Sequence, residues 1–183
     1  MILCAFAPGV GVSRQLSAVA EGQKLHTGVY RIINDQRQPG VGLHVCVNNN
    51  RLCGKTYGSA SPTNQDVFVL HDKGDNKYII QSLYNGQYVQ DVTKNYVEYE
   101  TGGSAAQFTI LYQDKSKGTG ISYFNIFNPS NGANDNWCWH MDGSRHVIRW
   151  HPMENGGISP CDFRLEEVTT MSKDDVREIL VKN

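Results

Sequence analysis

At 183 residues the chain is about the length of one domain with short extensions, so a single core burying roughly 70% of the unfolded surface is expected. Only 19% of residues are charged and the formal net charge is −1, which leaves no field to steer a polyanion and argues against a nucleic-acid partner. No apolar run reaches the roughly 18 residues that a membrane-spanning helix needs, so no membrane span is expected.

The first segment, residues 1–24, has two readings. Met1 to Val12 is mostly apolar, and Ala18-Val-Ala20 has the small residues of a secretory cleavage site. Yet no basic stretch precedes it, Pro8 and Gly9 interrupt the apolar run, and Arg14 comes early. The segment is either the remnant of a secretory signal or a linker trailing from an upstream domain.

From Gly28 onward the chain repeats itself. Three opening strands read Tyr30-Arg-Ile-Ile-Asn34, Tyr78-Ile-Ile-Gln-Ser82 and Phe124-Asn-Ile-Phe-Asn128, and their leading aromatics lie 48 and then 46 positions apart. Three closing strands read Asp66-Val-Phe-Val-Leu70, Ala106-Gln-Phe-Thr-Ile110 and Cys161-Asp-Phe-Arg-Leu165, each carrying Phe-x-aliphatic. A repeat of this length built of short strands is one supersecondary unit used three times, and no such unit buries its apolar face alone. The three must close on one another.

The repeats run from about Gly28 to Asp72, Asn76 to Gln113 and Gly120 to Glu167, with polar, glycine-bearing linkers between them. A second strand follows a turn in each: Gly42-Leu-His-Val-Cys-Val47, Gly86-Gln-Tyr-Val-Gln90 and Trp137-Cys-Trp-His-Met141. A third is clearest in Tyr96-Val-Glu-Tyr99 and Val147-Ile-Arg-Trp150. Four strands per repeat make about twelve, with period-2 alternation, so the expected fold is all-β, a barrel capped by hairpins. It should occupy residues 25–168.

Residues 169–183 form a helical tail. Ser172 is an N-cap with Asp175 three residues on, and Met171 and Val176 stand where a hydrophobic staple places its two residues. Val176, Ile179 and Leu180 make one apolar stripe. A helix of about ten residues is marginal alone, so it should dock on the barrel or lead into a further domain.

The five cysteines, Cys4, Cys46, Cys53, Cys138 and Cys161, include no C-x-x-C pair, which argues against a structural zinc site. Cys46 and Cys53 flank a turn-rich segment that sets them opposite each other across a hairpin, either bridged or as two free thiols. Cys138 and Cys161 share the third repeat, but spacing alone does not pair them. A bridge at either place would imply an oxidising compartment.

No nucleophile elbow, P-loop or H-E-x-x-H is present, and the adjacent Glu166 and Glu167 point to opposite faces of a strand, where they cannot flank one glycosidic bond. No catalytic residue, metal site or cofactor is expected, and the chain does not read as an enzyme.

Strand, hairpin, strand and a terminal aromatic, three times over, resembles the ricin-type β-trefoil, a carbohydrate-binding module found alone and appended to secreted enzymes. The third repeat carries the likeness best, in Asn136-Trp-Cys-Trp-His-Met-Asp-Gly143, Val147-Ile-Arg-Trp150 and Cys161-Asp-Phe-Arg-Leu-Glu-Glu167, and is similar to the variety found in extracellular bacterial proteins. The Q-x-W signature of the family is replaced by Asp66 and Phe68, Ala106 and Phe108, and Cys161 and Phe163. At the position where galactose-binding members carry an aspartate, this chain has His44, Gln90 and His140.

The resemblance implies a glycan partner, a secreted, periplasmic or cell-surface location, and neighbouring domains in a larger parent protein. It makes Trp150 the stacking aromatic of the third repeat, ten residues after His140, with Asp142, His151 and Asn155 around it. In the second repeat Tyr99 takes the same place beside Gln90 and Asp91, while Cys53-Gly-Lys55 leaves the first repeat without a plate. Trp139 alternates with His140 and should point inward. The rival reading is a protein-interaction or architectural trefoil that has lost its sugar sites, favoured by the replaced aspartates and glutamines.

Overall fold

A computed structural model describes residues 17–18, 24–35, 42–56, 64–92, 97–113, 120–129, 137–153 and 158–182. In chain order the strands are β1 (Ser17–Ala18), β2 (Gly28–Asn34), β3 (Leu43–Asn48), β4 (Arg51–Lys55), β5 (Phe68–Asp72), β6 (Lys77–Ser82) and β7 (Tyr88–Val89). They continue as β8 (Thr101–Gly102), β9 (Gln107–Gln113), β10 (Tyr123–Phe127), β11 (Trp137–Asp142), β12 (Val147–Pro152) and β13 (Phe163–Glu167), followed by one helix, α1 (Lys173–Lys182). The expected all-β class and single terminal helix are found, with thirteen strands among the described residues rather than about twelve.

Six strands form a closed antiparallel barrel: β2 pairs with β5, β5 with β6, β6 with β9, β9 with β10, β10 with β13, and β13 returns to β2. Closure leaves these strands no free edge. The repeat seen in the sequence becomes a repeat of register. Within each third the leading aromatic stands opposite the closing phenylalanine: Tyr30 with Phe68, Tyr78 with Phe108, Phe124 with Phe163. Between thirds, Leu70 faces Ile80, Ile110 faces Ile126, and Leu165 faces Ile32. All twelve of these side chains are buried in one core cluster, an arrangement with threefold pseudo-symmetry in which each third supplies the face that the next third covers.

Hairpins close one end. The β3–β4 hairpin turns through Asn49 and Asn50 at φ 48° and 62°, the two left-handed positions that a tight hairpin turn demands and that asparagine tolerates. Cys46 and Cys53 stand opposite each other in that hairpin and are bridged by a disulfide, with Cα atoms 5.2 Å apart. The three hairpin regions meet through backbone bonds: Leu52 N–H to Tyr99 O at 2.9 Å, Tyr99 N–H to Ile148 O at 2.9 Å, and Gly54 N–H to His146 O at 2.7 Å. Of the strand expected over Tyr96–Tyr99, the described part makes a single antiparallel bridge, Glu98 with Arg149. Tyr96 lies outside the described residues, and Tyr99 spends its N–H and C=O on the other two repeats, while β7 pairs instead with Thr101 and Gly102.

Trp139 fills the centre of the core, fully buried, with ring centroids 5.4 Å from Tyr99, 5.7 Å from Phe108 and 6.1 Å from Phe163. An indole of this size contributes about 5 kcal/mol by area removed from water. Outside the barrel, α1 lays Val176, Ile179 and Leu180, with Met171, over Val29, Val67, Val69, Leu83 and Val168. Its start is capped reciprocally: Asp175 N–H donates to Ser172 Oγ at 3.1 Å, and Ser172 N–H donates to the Asp175 carboxylate at 2.9 Å. The leading segment also touches the barrel, since Ser17 and Ala18 pair with Glu167 and Glu166.

Candidate functional site

The third hairpin sorts its side chains by strand alternation. Trp139 and Met141 on β11, with Ile148 and Trp150 on β12, point inward and are buried. His140 and Asp142, with Val147, Arg149 and His151, point outward and are half-buried. The register sets His140 opposite Arg149 and Cys138 opposite His151. Diagonal neighbours therefore meet on the outer face, and the rings of His140 and His151 stack with centroids 4.2 Å apart and planes 30° apart.

Beside this pair of imidazoles, Arg149 Nη1 lies 3.2 Å from Asp142 Oδ2. Asp142 is held from the other side by the turn, its Oδ1 accepting the N–H of Ser144 at 2.9 Å, the Ser144 hydroxyl at 2.7 Å and the Arg145 N–H at 3.1 Å. Partial burial pushes this carboxyl upward, but the Ser144 hydroxyl, the two turn N–H groups and Arg149 outweigh it and bring the pKa down to about 2. His151 is fixed through Nδ1, 2.9 Å from Pro152 O. The half-buried outer face thus sets two stacked imidazoles next to a planar cation and a planar anion.

Trp150 does not take part. It is 3% exposed, packs on Trp137 with ring centroids 5.2 Å apart, and belongs to the central core. The expectation that it stacks on a ligand is corrected by the register: Trp150 stands opposite Trp139, so both face inward, and the residue that shares the outer face with His140 is His151. The same alternation that placed Trp139 inside, carried across the turn Gly143–His146, was the signal that could have found this, and it also brings in Arg149, which sequence reasoning missed.

Tyr99 is corrected likewise. It is fully buried, its hydroxyl donates to Asn128 Oδ1 at 3.0 Å, and burial, with the charge of Asp91, raises its pKa well above the ordinary value. With Tyr99 inside, half-buried Gln90 and exposed Asp91 lose the stacking partner assigned to them. The Gln90 amide instead lies against Gly102, where any Cβ would collide with it. Asn155 lies outside the described residues. In the first repeat His44 is bound to Asp66 at 2.9 Å, beside Arg31 at 3.1 Å from the same carboxylate oxygen, and so serves the fold. Among the described residues no group of three or more His, Cys, Asp or Glu side chains is placed to hold a metal ion.

No family model matches the chain, and no curated protein matches it by sequence. Solved structures do. A ricin B-like lectin from Macrolepiota procera, determined with lactose, superimposes with a TM-score of 0.59 at 13% identity, over 79% of this chain and 99% of the lectin. A designed threefold-symmetric protein, ThreeFoil, does so with a TM-score of 0.60 at 12% identity, over 76% of this chain and 99% of its own.

The chain has the β-trefoil fold. The trefoil also matches part of a GlcNAcα1-4Gal releasing endo-β-galactosidase from Clostridium perfringens, with a TM-score of 0.56 at 16% identity, covering 76% of this chain and 32% of that enzyme. At such identities the likeness establishes the architecture, and the site of this trefoil rests on its own residues. No helix among its described residues is long and apolar enough to cross a membrane.

Proposed function

We propose that this trefoil binds glycans without altering them, through the outer face of the third hairpin. The stacked pair His140–His151 carries the reading, because it presents a fixed aromatic surface for the apolar side of a sugar ring within reach of planar polar groups, Arg149 and Asp142, suited to ring hydroxyls. Each hydroxyl exchanges water for protein with little net gain, so one site binds weakly and several copies or domains would supply avidity. The lectin bound to lactose and the galactosidase of which a matching region is one third support, by analogy of fold, a sugar ligand and a role beside an enzyme in a larger secreted or cell-surface protein. The Cys46–Cys53 bridge is consistent with that oxidising location.

A second reading, a protein-interaction trefoil, is favoured by the burial of Trp150 and Tyr99, which leaves imidazoles alone as the plate. A glycan array probed with the intact chain separates the two. Binding that falls at least tenfold in both His151→Ala and Arg149→Ala, with circular dichroism unchanged, supports the lectin. An array without signal, together with a protein partner captured in pull-down and not displaced by sugars, overturns it.

A further inference from the structure

We infer that the junction of the first and second repeats carries a separate subsite for an uncharged sugar ring, with Tyr84 as the stacking plate and Asn50, Asn85 and Gln87 as hydroxyl readers. Among the described residues only three large apolar side chains are strongly exposed, Tyr84, Val97 and Val181, and Tyr84, at 40%, is the one with a ring. Its exposure is built in. The preceding Leu83 is fully buried and donates its N–H to Val67 O at 2.9 Å, which anchors the turn between β6 and β7 from below.

That turn is closed several times over. Ser82 N–H donates to Gln87 O at 2.8 Å, Gly86 N–H donates to Ser82 O at 3.0 Å, and Tyr84 N–H donates to Ser82 Oγ at 3.2 Å. Gln81 Nε2 adds a bond to Gly86 O at 2.8 Å, and Gly86 takes the φ of 70° that the tight path requires. A turn held this firmly presents the Tyr84 side chain from a fixed backbone, which loses little freedom when a ligand lands on it.

Around the turn lies a cluster of amide and hydroxyl side chains from three elements. Asn85 Nδ2 is 3.0 Å from Thr101 Oγ1, 3.3 Å from Asn50 Oδ1 and 3.4 Å from Gln87 Oε1, while Asn85 Oδ1 accepts the Gln87 N–H at 3.1 Å. The Thr101 hydroxyl is also 3.3 Å from Gln87 Oε1. These bonds fix the amide planes and use the acceptor oxygens of Asn50 and Gln87. Their NH₂ groups and the Tyr84 hydroxyl have no partner among the described residues. Tyr84 immediately precedes Asn85 in the same turn, so one turn supplies both an exposed ring for an apolar C–H face and amide donors for hydroxyls, the two needs of a saccharide. None of the four amide or hydroxyl residues is charged, so the site selects a neutral ring. Nothing in it derives from the third hairpin, and the two sites on one domain would bind a polysaccharide chain with more avidity than either alone.

The test is residue-resolved. Amide NMR spectra of the intact chain are recorded against galactose, lactose, N-acetylglucosamine, mannose and xylotetraose. Saturable shifts at Tyr84, Asn85 and Gln87 with at least one of them, weakened fivefold or more in Tyr84→Ala and in Asn85→Ala but retained in His151→Ala, establish the subsite. The absence of saturable shifts at these residues with every probe, or shifts that survive Tyr84→Ala unchanged, overturns it. Shifts confined to His140–His151 refute this subsite while upholding the third-hairpin site, and shifts confined to Tyr84–Gln87 do the reverse.

Discussion

Asp35 and Arg164, 129 positions apart, form a buried two-pronged ion pair, with Nε 2.9 Å from Oδ2 and Nη2 3.2 Å from Oδ1. The pair joins the end of β2 to β13, where the last repeat closes on the first. Tyr123 donates its hydroxyl to the same carboxylate at 3.1 Å, and burial followed by the Asp35 charge raises the tyrosine pKa. Arg164 also pairs with Glu166. Removing Asp35 leaves the buried Arg164 with Glu166 as its remaining counter-charge and the Tyr123 hydroxyl without its acceptor, so Asp35→Ala should cost about 3–5 kcal/mol. Exchanging the pair for apolar residues and neutralising the second carboxylate on Arg164, Asp35→Leu with Arg164→Met and Glu166→Gln, should cost less than the single change. Urea unfolding of the wild type and both variants measures this, and an Asp35→Ala loss below about 1 kcal/mol would contradict it.

The Cys46–Cys53 bridge closes a short loop, with a sequence separation of 7. Chain entropy for a loop this small predicts about 2–3 kcal/mol of stabilisation. For a chain of this size that is a drop in Tm of roughly 5–10 °C on reduction or in Cys46→Ser with Cys53→Ser. Calorimetry with and without reductant checks it, and the double variant should no longer respond to reductant.

Asp142 supplies a pH dependence. Its pKa in the folded chain is about 2, below the roughly 3.9 of an unfolded aspartate. A depressed carboxyl stabilises the fold fully above the unfolded pKa and loses that contribution as pH falls toward the folded one. The contribution of the Asp142 turn should therefore be intact at pH 5 and fade between about pH 4 and pH 2. Carbon-detected NMR should find this carboxylate still ionised at pH 3, and the difference in stability between wild type and Asp142→Asn should shrink across the same interval.

Trp150 and His151 are neighbours with opposite expected phenotypes. Trp150→Ala removes a buried indole and should destabilise the trefoil by about 3–5 kcal/mol. His151→Ala, on the half-buried outer face, should leave stability within about 0.5 kcal/mol and weaken binding at the third hairpin at least tenfold. Thermal melts paired with binding to an immobilised glycan identified on the array resolve them. A stable Trp150→Ala protein with selectively lost binding would return the tryptophan to the site.

What the chain determines by itself is local and repeated. The aromatic-led and phenylalanine-led strands each carry their own period-2 pattern, so their threefold recurrence was legible before any pairing was known, and the barrel follows because each apolar face needs the next. The Ser172–Asp175 cap and the opposition of Cys46 and Cys53 were legible for the same reason, since both depend on contacts within a few residues. Tertiary structure decided the rest. Alternation fixes which side chains share a face within one strand, but the face presented after a turn depends on register, and one step separates Trp150 in the core from His151 on the surface. Tyr99 is buried because its backbone is claimed by both other repeats. Asn50, Asn85 and Thr101 meet, and Arg164 finds Asp35, only because the barrel closes, and closure is a property of the assembled strands that no stretch of sequence holds alone.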